Sequence, residues 1–417
     1  MVTLQRSAAI ALFIWISVVG CTDTGRNGDN ANRTVATSER PPAKPVPEAP
    51  PVAPASEDAS DSTRSIQTPT SGVEEKPEAD NPEKKRELDR KAAELRAARL
   101  PAEPIADNAD FLQRPSENSL RVVSYNIFWD HMYPDKDKSG AEKFARVFRA
   151  LNPDIIGLQE IEKHSAEETV VLLNEIAPLP EGQTWYAFRG SRMMIASRYP
   201  FLLTDDAFDH PTYRDPAMVI VDLPDDRFPA DVCVLNNHFK CCDGEENDPI
   251  RQKQADANME WVRDAITPGG TVDAEPGSGI VILGDLNLVG GRQPLETLAT
   301  GNISDEEMYG ADFQPDWDGT ALAIAELKHN QIGPDYTWRD DSQKWAPGRL
   351  DYIVYSDSVL VERNAFLLNT TTLSDEALSR AGLQKFDICL DDVGTRFDHF
   401  PLVVDFEMRA RAAANAQ

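Results

Sequence analysis

Short apolar runs bounded by Gly, Pro, Asn and Asp recur along much of the chain. Such runs predict β-strands. They fall at Leu120–Phe128, Asp154–Ile161, Trp185–Arg189, Met193–Ser197, Met218–Leu223 and Val232–Phe239. Five more follow at Ile280–Leu286, Tyr336–Arg339, Leu350–Tyr355, Val359–Leu367 and Phe400–Phe406. A 3.6-residue repeat appears instead at Glu142–Leu151, Glu168–Ile176 and Ile250–Ile266, and predicts helices there. In the third of these, Ala255, Met259, Val262 and Ile266 share a face, whereas Arg251, Lys253 and Asp256 lie off it. Many strands with fewer helices predict an α/β fold of the α+β kind, two packed β-sheets flanked by helices. Residues 118–408 read as one such domain.

The pattern before Asn118 is different. Met1–Arg6 is weakly basic, and Ala8–Val19 is an apolar run broken only by Ser17. It falls short of the ~20 residues that span a bilayer and matches the apolar region of an export signal. Val18-Val19-Gly20-Cys21 resembles a bacterial lipobox, so residues 1–21 are expected to be a lipoprotein signal peptide, with Cys21 as the anchor. The competing reading is an ordinary cleaved signal with an incidental cysteine. Residues 22–117 hold 13 of the 30 prolines and read as a disordered tether rich in Pro and charge. Within it, Asn81–Leu100 is Pro-free after Pro82 and predicts a short solvated helix rather than a coiled coil. The expected location is the cell envelope, lipid-anchored at the outer membrane or cell surface.

Charge sharpens this picture. The net charge is −28, and residues 118–408 carry −26 of it. A field of that sign repels nucleic acid and anionic lipid unless cations or a local basic strip intervene. Composition excludes a collagen-like repeat, a disulfide-dense mini-protein and a multi-span membrane protein.

Chemistry-bearing residues gather at the predicted strand ends, where loops meet. Asn126 closes the first strand, Glu160 the second and His238 the sixth. Asp285 and Asn287 stand two apart and so face one way in an extended chain. Asp351 lies in Arg349-Leu350-Asp351-Tyr352, and Asp398-His399 precede the last strand. Singly, each such Asn or Asp is read as a turn or cap residue. Their order is what carries meaning.

Asn126, Leu158-Gln159-Glu160, Gly284-Asp285-Leu286-Asn287, Arg349-Leu350-Asp351-Tyr352 and Asp398-His399-Phe400-Pro401 together resemble the endonuclease/exonuclease/phosphatase superfamily. Its members include pancreatic deoxyribonuclease, apurinic endonucleases, neutral sphingomyelinases and inositol-phosphate 5-phosphatases. The resemblance implies a four-layered α/β sandwich and a metal-dependent phosphodiester hydrolase. A hard divalent ion, Mg²⁺ with Mn²⁺ as a substitute, suits the charge that develops on a phosphoryl group. By resemblance Glu160 is the foremost metal ligand, with Asn126 and Asp398 beside it. Asp285 orients or deprotonates the attacking water, and Asn287 donates to a phosphoryl oxygen. His399 pairs with Asp351 as general base or phosphate contact. His238 adds a second imidazole, as in pancreatic deoxyribonuclease and the sphingomyelinases but not in apurinic endonucleases.

The expected substrate is nucleic acid, cut at the cell surface by a monomer. The alternatives are a sphingomyelinase- or phospholipase C-like enzyme and an inactive surface binding protein. No paired aromatic hairpin is evident, and Trp345-Ala346-Pro347-Gly348-Arg349 departs from the 5-phosphatase box. His131, His164, His210 and His329 read as surface residues, with His131 a candidate for the cleft border. Arg192 and Arg251 read equally as phosphate contacts or surface charges. The acidic loop 243–248 reads as solvated rather than as a Ca²⁺ site. Cys233, Cys241, Cys242 and Cys389 permit disulfides in an exported chain, with Cys241 or Cys242 expected to pair with Cys233 or Cys389.

Overall fold

The computed structural model describes residues 102–205, 214, 216–341, 345–388 and 397–410. Cys21, the predicted helix at Asn81–Leu100, His210 and Cys389 lie outside the described residues. The strands are Leu120–Asn126 (β1), Ile155–Gln159 (β2), Tyr186–Gly190 (β3), Met193–Ser197 (β4), Phe201–Asp205 (β5) and Ala217–Val221 (β6). They continue as Val232–His238 (β7), Gly279–Asp285 (β8), Ala323–Ile324 (β9), Asp351–Tyr355 (β10), Leu360–Leu367 (β11) and Leu402–Met408 (β12). The helices are Lys138–Leu151 (α1), Ala166–Ile176 (α2), Asp248–Ile266 (α3), Gln293–Thr300 (α4), Glu306–Tyr309 (α5) and Asp375–Ala381 (α6).

Two six-stranded sheets result, in the orders β11-β12-β1-β2-β4-β3 and β5-β6-β7-β8-β10-β9. They pack as a four-layer α/β sandwich. The two-residue period of the second sheet shows why. Val219, Val234, Val281, Leu283 and Ile353 point into the core shared with the first sheet. Their neighbours Met218, Cys233, Leu235, Ile280, Ile282 and Val354 point the other way, onto Met259, Trp261 and Val262 of α3 and Leu295 and Leu298 of α4. On the first sheet, Phe144, Val147 and Phe148 of α1 and Leu172 and Leu173 of α2 join the main core. Each sheet thus has both faces covered, which explains strands buried along their whole length.

Each sheet also contains one parallel pair joined by a helix: β1 and β2 through α1, β7 and β8 through α3. Parallel neighbours end on the same side, so Asn126, Gln159, His238 and Asp285 finish at one edge. The sheets approach closely beneath that edge. A Cβ on Gly157 would lie 2.3 Å from Leu283 Cδ1. Gln159 Nε2 donates across the gap to Asn236 Oδ1 (2.6 Å), and Asn236 Nδ2 donates to the carbonyls of Leu158 (3.0 Å) and Met194 (2.9 Å). Gly284, with φ of 130°, takes a backbone position where a Cβ would lie 2.0 Å from Asn237 O.

Several expectations are corrected. The folded body begins before Asn118: Phe111 is buried, Ala106 bridges to Leu373, and Glu103 bonds to residues far along the chain. Buried Arg121 secures this entry by gripping both oxygens of Asp405 (2.6 and 2.7 Å) and the carbonyls of Leu112 and Leu151 (2.8 Å each). Tyr336–Arg339 is not a strand; only Trp338 bridges, to Gly348 and His399. Arg251 is fully buried and serves the backbone, donating to Lys240 O (2.7 Å) and Cys242 O (3.0 Å). Asp256 is buried too, accepting the N–H groups of Ser304 and Asp305. His329 is buried among Tyr336, Phe400, Asn369 and Glu103, and His164 stacks on Tyr133 at 3.5 Å between ring centroids. Cys233, Cys241 and Cys242 are free thiols, and burial pushes the Cys233 thiol up to about 12. Among the described residues no helix is long and apolar enough to cross a membrane.

Candidate active site

Strand register builds half of the site directly. His238 stands beside Asp285 in the parallel ladder, and Asp285 stands beside Asp351 in the antiparallel one. All three share the parity of the inward residues Val234, Leu283 and Ile353, so their side chains face the same cleft. His399 arrives from the loop before β12, which pairs with the 337–339 segment through Phe400 N–H to Thr337 O (2.8 Å) and Arg339 N–H to Asp398 O (2.9 Å).

His399 Nδ1 meets Asp351 Oδ2 at 2.8 Å. Thr337 Oγ1 donates to the same oxygen (2.6 Å) and accepts the N–H groups of Leu350 (2.8 Å) and Asp351 (2.9 Å). Asp351 is therefore fixed before any substrate arrives. The other ring nitrogen, His399 Nε2, lies 3.7 Å from Asp285 Oδ2. His238 Nε2 approaches that oxygen to 3.5 Å and Glu160 Oε1 to 4.0 Å. Asn287, with φ of 48°, gives its N–H to Asp285 Oδ1 (2.9 Å) and its amide to Asp285 Oδ2 (3.2 Å).

The first sheet supplies the facing half. Asn126 Nδ2 donates to Glu160 Oε1 (3.1 Å) and Asp285 Oδ2 (3.2 Å), joining the two sheets. Glu160 follows β2 in the left-handed region, with φ of 64°. Its carbonyl accepts Asp130 N–H (3.0 Å) and its Oε2 accepts Trp129 N–H (3.1 Å). Asp398 Oδ2 accepts from Trp338 Nε1 (2.9 Å), whereas its Oδ1 is buried with no hydrogen-bond partner among the described residues.

Electrostatics separates these groups. Burial raises the proton affinity of Glu160 and Asp398, and pushes Asp285 up to about 7 with help from Asp351 and Glu160 against the opposing His399. Burial and the charges of Arg214, His399 and Arg192 hold His238 neutral, well below the usual imidazole range. His399 goes the other way. Burial opposes its charge, but Asp351, Asp285 and Asp398 outweigh it and hold the ring well above that range.

Crowded, buried carboxylates of this kind call for a cation. Glu160, Asn126 and Asp398 offer hard oxygens, one of them orphaned, and fit a divalent ion of the Mg²⁺ type. One atom from each of Asp285, Asp351 and His399 also lies within 4.8 Å of the others. That cluster is closed by its own hydrogen bonds, so a cation there would displace the His399–Asp351 contact.

All eight residues singled out in the sequence come together. Missed were Trp338 and Thr337, whose partners lie 60 and 14 residues away, and Arg214, which donates to the carbonyls of His238 (3.2 Å) and Phe239 (2.7 Å). The pattern reads Thr337 and Trp338 as part of a strand, and no local signal marks Arg214.

The two sheets thus pool carboxylates, amides and a carboxylate-bound imidazole at one edge. The chain belongs to the Endonuclease/Exonuclease/phosphatase family, whose model matches residues 123–375. Members of this family are divalent-metal-dependent phosphodiester hydrolases. The matched span stops before Asp398 and His399, which the fold returns to the site. Similar solved structures include truncated TDP2 of Caenorhabditis elegans, at 18% identity over 69% of this chain and 97% of that one, TM-score 0.46. The human Nocturnin catalytic domain with bound sulfate is similar at 16% identity over 74% and 98%, TM-score 0.44. An endonuclease/exonuclease/phosphatase from Bacteroides vulgatus is similar at 16% over 70% and 99%, TM-score 0.44. No curated protein matches the sequence.

Proposed function

We propose that this chain is a Mg²⁺-dependent phosphodiesterase of the cell envelope that cleaves nucleic acid, exported by residues 1–21 and anchored at Cys21. The observation that carries the catalytic reading is the aligned row His238–Asp285–Asp351 closed by His399, facing Glu160. A Mg²⁺ ion held by Glu160, Asn126 and Asp398 would supply Lewis-acid charge to the phosphoryl group. The chain's own groups do the rest. Asp285, poised near neutrality, accepts a proton from the attacking water through Oδ2. His399, held as imidazolium by Asp351, sets positive charge against the phosphoryl oxygens. Asn287 keeps Asp285 aimed and offers its amide to the substrate. Neutral His238 borders the same oxygen and passes the proton that Asp285 accepts on to the departing alkoxide oxygen.

The test uses the full chain, purified metal-free and assayed with and without Mg²⁺ on plasmid DNA, RNA, sphingomyelin and bis-p-nitrophenyl phosphate. Metal-dependent cleavage of DNA or RNA is the expected result. Turnover of sphingomyelin alone overturns the nucleic-acid reading, and silence on all four points to a binding protein. For the anchor, Cys21→Ala is expected to move the protein from the membrane fraction to the soluble one.

A further inference from the structure

Beside Glu160 the chain makes an uncommon turn. Phe128, Trp129 and Asp130 are consecutive residues in the left-handed region, with φ of 48°, 54° and 63°. Bulky residues rarely adopt that conformation, and strain of this kind persists where the surroundings enforce it. Here the Asp130 carboxylate accepts the N–H groups of Glu162 (2.8 Å) and Lys163 (3.2 Å), and Glu160 holds the N–H groups of Trp129 and Asp130. The turn presents Trp129 to solvent, 46% exposed.

The ring is also backed. The Arg192 guanidinium lies 5.3 Å from the ring centroid, and Glu162 grips it at Nε (2.7 Å) and Nη2 (2.6 Å). The charge of Arg192 reaches His238 inside the cleft. Trp129 is therefore a rigid aromatic surface at the cleft mouth, with a cation beneath it and a candidate metal ligand bonded to its own backbone. Such a surface binds a flat heteroaromatic ring at low entropic cost.

We propose that Trp129 determines specificity by stacking, over Arg192, on a nucleobase next to the scissile phosphate, so that the preferred substrate is a base-bearing single strand. This rests on the nucleic-acid reading above. The charge of −26 on residues 118–408 favours it over a backbone clamp, because a strongly acidic surface gains little from tracking phosphates. It also favours a base over a lipid surface, since the Arg192–Glu162 pair beside the ring resists transfer into acyl chains.

The experiment compares wild type, Trp129→Ala and Trp129→Phe on a short single-stranded oligonucleotide and on the same strand with abasic residues flanking the cleavage site. In Trp129→Ala the kcat/KM ratio of base-bearing to abasic substrate is expected to fall on the order of 10-fold or more, mainly through KM, with Trp129→Phe keeping most of it. Oligonucleotide binding in EDTA, read by fluorescence anisotropy of an end-labelled strand, is expected to weaken in parallel. An unchanged ratio with wild-type cleavage intact overturns the stacking role alone. A Trp129→Ala variant that loses only its binding to sphingomyelin vesicles assigns the ring to a lipid surface and overturns it as well. Failure of the wild type to cleave any oligonucleotide overturns the nucleic-acid reading and this proposal with it.

Discussion

The two halves of the site are finished to different degrees. On the second sheet, Asp351 is fixed by Thr337 and His399, and Asp285 by Asn287, so each acid has partners within the protein. On the first sheet, among the described residues, the Glu160 carboxylate takes hydrogen bonds from Asn126 and Trp129 alone, and Asp398 keeps one buried oxygen with no donor. The second half is preorganised by hydrogen bonds alone. The first has oxygens in excess of donors, and a divalent cation completes it. A site that relied on the first half without metal would hold repelling carboxylates in a low-dielectric pocket.

Removing Glu160 tests this contrast most severely. Glu160→Gln is expected to lower kcat/KM by about 10³-fold or more and to abolish the rise in melting temperature that Mg²⁺ gives the wild type. Its metal-free form is expected to be at least as stable as wild type at neutral pH, because burial disfavours the charged Glu160 that the change removes. Unchanged Mg²⁺ stabilisation would remove Glu160 from the metal site. Asp351→Asn strikes the other half. A loss of about 10²- to 10³-fold is expected, with Mg²⁺ stabilisation retained. Losing that carboxylate also lowers the proton affinity of His399, so the imidazolium is lost as pH rises through a lower value than in wild type. A pH–rate profile whose alkaline limb stays in place would refute the assignment.

Trp338→Phe probes the support of Asp398 and is expected to weaken Mg²⁺ binding by about 10-fold, read by calorimetric titration. The smallest effect is expected at Glu103. Burial raises its proton affinity, but hydrogen bonds from His329 and Tyr336 and the charges of His329 and Arg339 outweigh this and lower it. Its contribution to stability is complete above the ordinary value of 4.5 and is lost as pH falls through the lower folded value. Glu103→Gln should thus flatten the acid limb of the melting curve against pH while leaving Mg²⁺ binding intact. An equally steep acid limb would show that another carboxylate governs it.

Much of this was legible in the sequence, and the failures have physical causes. The sequence places Met193–Ser197 to the residue, and most other long strands to within a few, because strands buried on both faces read as continuous apolar runs. The edge strand Phe201–Asp205 was missed; it is half-exposed and short of the buried run that marks its neighbours. Tyr336–Arg339 looked extended and is, but Thr337 spends its side chain on Asp351 instead of joining a ladder. Periodicity set Arg251 and Asp256 off the apolar face of α3, yet loops fold over that face and their backbone groups need those charges. His329 could not be read as buried, since Glu103, which bonds it, lies 226 residues earlier. The strand ends are visible in the pattern, but it is the order of the site residues, through its resemblance to the superfamily, that marks them out. The turn at Trp129 is not visible, since left-handed backbone leaves no periodic signature.

Gly157 gives the cleft a gauge. With no side chain there, Leu283 closes over the strand and Gln159 can reach Asn236, so the spacing of the two sheets is set by the absence of one methyl group. A methyl at that position is a wedge driven under the floor of the cleft. It would part Glu160 from Asp285 without touching either, widening the distance over which a phosphoryl group must be shared. The calibration of the active site therefore lies a layer below it, in a residue that has no chemistry of its own.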